Sequence, residues 1–203
     1  MLGSLFIVAA PSGAGKTSLV NALVEQQDNI ALSVSHTTRS ARDGEVDGKD
    51  YFFVSPDVFN EMRDRGAFLE SATVFDHCYG TSSEAVFEQL KAGIDVILEI
   101  DWQGAEQVRR NYPDNSSVFI LPPSKQALEQ RLRGRGQDDE DVIARRMRDA
   151  ENEISHYVEF DYLIVNDDFE IALAELVAII SARRQSMVIQ MAAQASLLKT
   201  LLA

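Results

Sequence analysis

The chain has 203 residues, 45% of them hydrophobic, which suffices for one compact core and excludes two large domains. Its formal net charge of −13 argues against non-specific nucleic-acid binding, although local arginine clusters can still hold small anionic substrates. The single cysteine, Cys78, excludes an internal disulfide, and no apolar run approaches the ~20 residues that span a bilayer. We therefore expect a cytoplasmic protein with no nucleic acid and no membrane as partners.

The chain begins with the pattern of a strand, a loop and a helix. Residues 5–9 form a short apolar run bounded by turn residues, which is typical of a buried parallel strand. From Thr17 the apolar residues recur at helical spacing, so that Leu19, Val20 and Leu23 share one face. This order of elements is the beginning of a βαβ unit.

The loop between this strand and helix fits the pattern G-x-x-x-x-G-K-[ST], except that alanine replaces the first glycine. Its residues are Ala10, Pro11, Ser12, Gly13, Ala14, Gly15, Lys16 and Thr17. Glycines allow backbone N–H groups to converge on a phosphate, and the following helix adds positive charge at its N-terminus. Lys16 can bridge the β- and γ-phosphates, and Thr17 can ligate Mg²⁺. The alternative is an ordinary glycine turn, but the flanking strand and helix favour nucleotide binding.

Later segments predict two further parts. Short alternating and aromatic runs separated by glycine turns predict a small mixed β subdomain over 34–93, with a helix near 56–65. Core strands are predicted again at 94–100, 118–121 and 162–165. A helix starting near Ser124, a charged loop and an arginine-bearing helix precede the last of these strands, and a long helical pattern starts near Glu170.

Two arginines of the inserted segment, Arg39 and Arg42, stand among serine and threonine hydroxyls and precede Tyr51. Guanidinium groups grip phosphate with paired donors, and hydroxyl groups complete such a site. By composition alone, a solvated basic turn is the favoured interpretation of this stretch.

Together with its neighbours, however, this stretch resembles the guanylate kinase family. The motifs that carry the resemblance follow the family's order and are S-x-S-x-T-T-R-x-x-R from residue 33, G-E-x-x-G-x-D-Y-x-F from 44, F-L-E at 68–70, Y-G-T at 79–81, L-E-I-D-W-Q-G at 98–104, R-L-R-G-R-G at 131–136 and V-N-D-D at 165–168. The resemblance covers 3–183, nearly the whole chain, and several of these motifs are specific to the family.

The resemblance implies a role for each matching residue. Residues that hold the GMP phosphate would be Arg39, Arg42, Tyr51 and Tyr79, and those around the guanine would be Ser35, Glu70, Thr81 and Asp101. Residues that act on the ATP phosphates and the transferring group would be Lys16, Arg131, Arg135 and Arg146. Arg39 would also be catalytic, and Asn166 would lie near the ATP base or the lid. The alternatives left open by the residues themselves are ordinary strand aromatics for the tyrosines, an exposed edge-strand residue for Glu70, and a solvent-facing helix for the arginines.

The fold that the resemblance implies is α/β, a P-loop kinase with a parallel-sheet core, an inserted mixed β GMP-binding subdomain and a helical lid. We expect a single domain over 1–203, with its core in 1–33, 94–124 and 151–203, the GMP-binding subdomain in 34–93 and the lid in 125–150. The implied reaction moves the γ-phosphoryl group of ATP, with Mg²⁺, to GMP and gives ADP and GDP, as in purine nucleotide metabolism and GMP recycling.

Two other functions remain open at this point. Guanylate-kinase-like scaffold domains bind peptides without turnover, but they have typically lost parts of the phosphate loop that are intact here. A kinase with another acceptor, such as AMP, is the second alternative. Beyond Arg183 the tail carries apolar residues at partly helical spacing, for which we favour packing on the chain's own core over a homo-oligomer contact.

Overall fold

The computed structural model describes residues 2–74, 76–134 and 140–203. Its strands are β1 (Leu5–Ala9), β2 (Ile30–Leu32), β3 (His36–Thr37), β4 (Phe52–Phe53), β5 (Phe68–Val74), β6 (His77–Ser82), β7 (Asp95–Glu99), β8 (Asn115–Leu121) and β9 (Tyr162–Val165). Its helices are α1 (Lys16–Gln26), α2 (Pro56–Asp64), α3 (Ser83–Lys91), α4 (Trp102–Asn111), α5 (Lys125–Gly134), α6 (Glu140–Ser155), α7 (Phe169–Arg184), α8 (Met187–Ala193) and α9 (Ala195–Leu201), with a 3-10 turn at His156–Glu159.

The core is a parallel sheet in the order β2-β7-β1-β8-β9, with β1 at its centre. Every residue of β1 is buried, which explains its uninterrupted apolar sequence. Helices α1 and α7 cover one face of the sheet, and α3 and α4 cover the other. The sequence predicted this parallel core, and the carboxyl ends of β1 and β7 lie side by side in it.

The inserted segment forms a separate mixed sheet in the order β4-β3-β6-β5. Strand β6 pairs antiparallel with β5 and β3, whereas β3 pairs parallel with β4. Helix α2 lies close to its predicted position, because Ser55 caps it and Pro56 occupies its first turn. The mixed sheet is therefore confirmed as a unit distinct from the core sheet.

Helix α4 was not anticipated from the sequence. Its residues are largely polar, but Asp101 supplies an N-cap, since the Gly104 N–H donates to Asp101 Oδ1 at 2.8 Å. Ala105 and Val108 are its buried apolar residues and pack on the core. Two buried apolar residues and a cap thus suffice for a helix that contains few apolar residues.

The arginine-bearing part of the chain is helical. Helix α5 begins as predicted, with the Ala127 N–H donating to Ser124 Oγ at 3.0 Å. Helix α6 continues to Ser155, past the expected lid boundary at residue 150. Apolar side chains of α5 and α6 pack together in a small cluster of their own, which includes Leu132 and Ile143. The predicted site residue Arg135 lies outside the described residues.

The prediction that the tail packs on the core was wrong for α9, which is exposed throughout, and holds only in part for α8, where Ile189 and Ala193 are half-buried. Neither α8 nor α9 contains a buried residue, and Met187 and Leu201 are 73% and 71% exposed. The buried residues of this part of the chain belong to α7, among them Leu173 and Ile180. Among the described residues, no helix combines the length and apolar character that crossing a membrane requires.

Candidate active site

A cleft of about 240 Å³ opens where β1 and β7 end, between the phosphate loop, the mixed sheet and helix α6. Parallel α/β sheets place ligands at this edge. The cleft brings together the whole predicted phosphate loop and the predicted residues Ser35, Arg42, Tyr51, Glu70, Tyr79, Asp101 and Arg146. Residues that are far apart in sequence and were predicted for one site therefore share one cavity.

The phosphate loop has the backbone that its glycines allow. Gly13 and Gly15 have φ values of +93° and +94°, in the left-handed region. Within the described chain no side chain caps the N-terminus of α1, so its first N–H groups remain available to an anion. Ala10, the departure from the motif, is not among the described residues with positive φ, so alanine causes no strain there.

Two side chains at the start of α1 contact the end of β7. Lys16 Nζ donates to the backbone oxygen of Ile100 at 3.1 Å, and the Thr17 hydroxyl donates to the Glu99 carboxylate. Glu99 is a carboxylate at the end of a buried strand, which is a position at which α/β folds place ligand groups. Thr17 and Glu99 together offer oxygen ligands beside the loop.

Asn166 and Arg131 support the phosphate loop from behind. The buried Asn166 amide donates to the Ala14 oxygen at 2.8 Å. Arg131 donates to the same Ala14 oxygen at 3.3 Å and to the backbone oxygen of Asn166 at 2.8 Å. A Cβ on Gly15 would lie 2.4 Å from Asn166 Nδ2, so glycine is required sterically as well. A contact of either side chain with a nucleotide stays a prediction.

Arg39 is held in place by a carboxylate. Its guanidinium forms a two-point ion pair with Glu45, with N–O distances of 2.8 and 3.0 Å, and lies over the Tyr51 ring. The hydrogen bonds to Glu45 raise the pKa of Arg39, and the same pair lowers the pKa of Glu45. The fork that was predicted to bind phosphate is thus engaged by Glu45, and Arg39 is not among the residues that line the cleft. Arg42 lines the cleft directly.

The two tyrosines predicted for the phosphate lie next to each other. The rings of Tyr51 and Tyr79 are 5.9 Å apart in an edge-to-face arrangement, and both line the cleft. Burial, with a smaller contribution from the negative charge of Glu99, raises the pKa of Tyr51 to about 12. Its hydroxyl therefore stays protonated at neutral pH and can donate to an anionic oxygen.

Glu70 is an almost fully buried carboxylate that lines the cleft, so the alternative of an exposed edge-strand residue is wrong. The Thr81 hydroxyl donates to Glu70 Oε1 at 2.6 Å, and Ser35 Oγ lies 3.2 Å from Thr81 Oγ1. A Cβ on Gly104 would lie 2.6 Å from Glu70 Oε2, so this glycine makes room for the carboxylate. Burial raises the pKa of Glu70 to about 7, and the nearby Asp101 charge adds to the rise.

Helix α4 fixes the strand that carries Glu70. Ser71 is bound at both backbone groups by the Gln107 amide, since the Ser71 N–H donates to Gln107 Oε1 at 3.1 Å and Gln107 Nε2 donates to the Ser71 oxygen at 2.8 Å. These two hydrogen bonds reproduce the pairing that a neighbouring β-strand would give to the backbone of Ser71. Gln107 belongs to no motif, so the sequence offered no signal for it.

Glu153, on helix α6, also reaches the phosphate loop and was missed. Its Oε2 accepts a hydrogen bond from the Ser12 N–H at 3.1 Å, and the side chain lines the cleft. Burial raises the pKa of Glu153, while the Ser12 bond and the charge of Lys16 oppose that rise.

Known proteins resemble this chain over most of its length. The sequence model of the guanylate kinase family matches residues 3–183. A guanylate kinase of Nitrosococcus oceani is 62% identical over 184 residues, which are 91% of each chain. One of Escherichia coli is 57% identical over 203 residues, covering 99% of this chain and 98% of the relative. The crystal structure of guanylate kinase from Anaplasma phagocytophilum has a TM-score of 0.78 and 34% identity, covering 92% of this chain and 88% of that one.

Proposed function

The chain belongs to the guanylate kinase family and transfers the γ-phosphoryl group of ATP to GMP, and from this premise we propose which residues do so. One observation carries the assignment: an intact phosphate loop and the buried carboxylate Glu70 face the same cleft. The phosphate loop suits the triphosphate of ATP, and the Glu70 carboxylate suits the N–H groups on the edge of guanine.

The donor ATP lies with its phosphates on residues 10–17, where Lys16 neutralises the β- and γ-phosphates. The Thr17 hydroxyl and the Glu99 carboxylate fit a Mg²⁺ ion, which takes few protein oxygens and completes its coordination with phosphates and water. Bound there, Mg²⁺ would neutralise charge on the phosphate oxygens. The described residues contain no larger cluster of metal-binding side chains, and a phosphate-held ion requires none.

The acceptor GMP lies across the cleft from the donor. Arg42 and the hydroxyls of Tyr51 and Tyr79 hold its phosphate, and Arg39 joins them from its position over Tyr51. Glu70 accepts from guanine N1–H and the N2 amino group, with Thr81, Ser35 and Asp101 around it. Adenine lacks the N2 amino group and presents a bare acceptor at N1, so AMP leaves the buried Glu70 without the two hydrogen bonds that guanine donates.

Transfer then depends on position and charge. A GMP phosphate oxygen attacks the γ-phosphorus in line, so no covalent enzyme intermediate forms. No general base is needed, because a phosphate monoester with a second pKa near ~6 is largely ionised at neutral pH. Lys16 and Arg146 line the cleft and stabilise the charge that shifts during transfer.

Water must be excluded from this site, because otherwise ATP would be hydrolysed. We assign the mixed sheet within 34–93 to GMP binding and the α5–α6 pair to the lid. Since α6 runs unbroken to Ser155, we place the end of the lid there and not at residue 150. The cytoplasm, where both nucleotides occur, is the compartment that suits this reaction.

The test of the whole assignment is coupled detection of ADP release with each of the four common ribonucleoside monophosphates. We expect turnover with GMP, rejection of AMP by ~10⁴-fold, and loss of turnover when EDTA removes Mg²⁺. A peptide-binding module would show no turnover with any acceptor, and a kinase of different specificity would prefer another acceptor.

Arg131→Ala should lower kcat about tenfold or more and change the KM for GMP much less. The lost guanidinium acts on the donor side, both on charge during transfer and on the carbonyl of Ala14. Arg133→Ala is the matched control, since Arg133 lies on the same helix and pairs with Glu129 on the surface. A large rise in the KM for GMP with kcat intact would remove Arg131 from the donor side. Arg135, outside the described residues, is predicted to behave like Arg131.

We propose further that helices α8 and α9 pair two copies of the chain. Their large apolar residues are exposed, among them Met187, Val188 and Leu201. In sedimentation at matched concentration, the full chain should form a larger species and a chain ending at Gln185 a monomer. The double variant Val188→Ser with Leu201→Ser keeps both helices and should also give a monomer. A monomer for the full chain refutes the pairing.

A further inference from the structure

Glu153 is an acidic side chain held against a loop that binds anions. Its Oε2 lies 3.1 Å from the Ser12 nitrogen, in a contact that joins residues 141 positions apart. A carboxylate near the phosphates of ATP repels their negative charge and so opposes ATP binding. The role of this contact therefore needs an explanation beyond nucleotide binding.

The position of Glu153 on its helix suggests the task. Arg146 and Glu153 are two turns apart on α6, so they share one face and lie about 10 Å apart along the axis. Both line the cleft. Because the helix is rigid between them, a bond that fixes Glu153 relative to the loop also fixes where Arg146 stands.

The other contacts described for α6 do not reach the phosphate loop. Ile143 and Ala150 pack the helix on α5, Glu151 forms an exposed ion pair with Lys125, and His156, just after the helix ends, stacks on Trp102 with ring centres 3.5 Å apart. Apolar packing and stacking are short-ranged but tolerate sliding, whereas a hydrogen bond fixes both distance and angle. A displacement of ~1 Å at a reacting group lowers a rate by ~10²-fold, so a directional contact is valuable here.

We propose that Glu153 is a positioning residue: it docks helix α6 on the phosphate loop through the Ser12 N–H and so places Arg146 against the transferring phosphoryl group. This inference rests on the proposed function, because it assumes that Arg146 acts on that group. Glu153 itself touches no reacting atom. The contact requires a hydrogen-bond acceptor of the length of Glu and does not require its negative charge.

Three variants distinguish this positioning role from a role of the negative charge of Glu153. Glu153→Gln keeps an acceptor oxygen at the same reach, so kcat should stay within about threefold of the parent. Glu153→Asp keeps the charge but is one methylene too short, and Glu153→Ala removes the group. Both should lower kcat by about tenfold or more, with little change in the KM for GMP. Glu151→Ala is the control, since Glu151 lies on the same helix, is exposed and pairs with Lys125.

Several results would overturn the proposal. If Glu153→Gln is as impaired as Glu153→Ala, the charge matters and not the hydrogen bond. If Glu153→Ala binds ATP more tightly and keeps its kcat, Glu153 only competes with the phosphates. If Glu153→Asp is fully active, the contact has no directional role. Thermal melting reports whether each variant folds. If Glu153→Ala does not fold, the comparison of Glu153→Gln with Glu153→Asp still tests the proposal.

A double-mutant cycle tests the link to Arg146. When Arg146→Ala is already present, adding Glu153→Ala should lower kcat less than twofold further, because the positioned group is gone. If the two substitutions lower kcat by independent factors that multiply, the positioning role of Glu153 is refuted, whereas the assignment of Arg146 is not. An unchanged kcat in Arg146→Ala by itself would instead refute the assignment of Arg146 in the proposed function, and with it this inference.

Discussion

Lys16→Ala should lower kcat by ~10²–10³-fold while the fold survives. The lysine stands at the first position of α1, and its amino group reaches across the cleft edge to the Ile100 oxygen at 3.1 Å. That single hydrogen bond is worth about 1 kcal/mol of stability, so the melting temperature should change little. The charge that the lysine supplies to the β- and γ-phosphates has no replacement elsewhere on the loop.

The measurement is steady-state ADP release with GMP as acceptor, together with thermal melting by circular dichroism. Lys91→Ala is a suitable control, because Lys91 is an exposed lysine in the last turn of α3, away from the cleft. Near-normal turnover in a folded Lys16→Ala protein would exclude Lys16 from the mechanism.

Glu70→Gln should reduce kcat/KM for GMP at least tenfold and leave the KM for ATP nearly unchanged. The amide keeps the shape of the carboxylate but presents one donor where guanine also presents a donor. The loss of one charged hydrogen bond corresponds to ~1.4 kcal/mol. The preference for GMP over AMP should narrow, since the variant no longer leaves a desolvated charge facing adenine.

The pH dependence gives this prediction a second readout. Glu70 must be ionised to accept two hydrogen bonds, and burial raises its pKa to about 7 in the free protein. GMP binding therefore stabilises the ionised form, and the KM for GMP should fall as the pH rises from 6 to 8. Ionisation of the GMP phosphate contributes in both proteins, so the difference between the parent and Glu70→Gln isolates the carboxylate.

Glu88→Gln is the matched control, because Glu88 is an exposed glutamate on α3. Unaltered GMP kinetics and an unaltered pH profile in a folded Glu70→Gln protein would show that another group, such as Asp101 or Ser35, selects the base.

The sequence predicted those features that depend on local pattern. The apolar run of β1, the glycines and lysine of the phosphate loop, and the capped start of α2 each determine their structure over a few residues. The parallel core and the separate mixed sheet followed from the change in periodicity between these segments. For the residues of the acceptor site, the family resemblance was needed, because Arg39 and Glu70 have no local signal that separates them from surface charges.

Contacts between distant segments were not predictable in this way. Gln107 binds Ser71 and Glu153 binds Ser12 through single polar groups, and nothing in the sequence around either residue marks it. Helix α4 was missed because most of its residues are polar, and only a cap and two buried apolar residues mark it. The tail was misjudged because helical spacing shows that a segment has an apolar face, but not whether core surface remains for that face to cover.

Asn166 has a consequence for how the protein is made. It comes 152 residues after Ala14, whose carbonyl it holds, and it follows the last strand of the core sheet. During synthesis the phosphate loop leaves the ribosome early, whereas Asn166, which supports it, leaves near the end. The nascent chain therefore cannot complete the support of its phosphate loop until β9 has joined the edge of the sheet. A ligand bound on this loop stabilises the folded chain, in which Asn166 is in place.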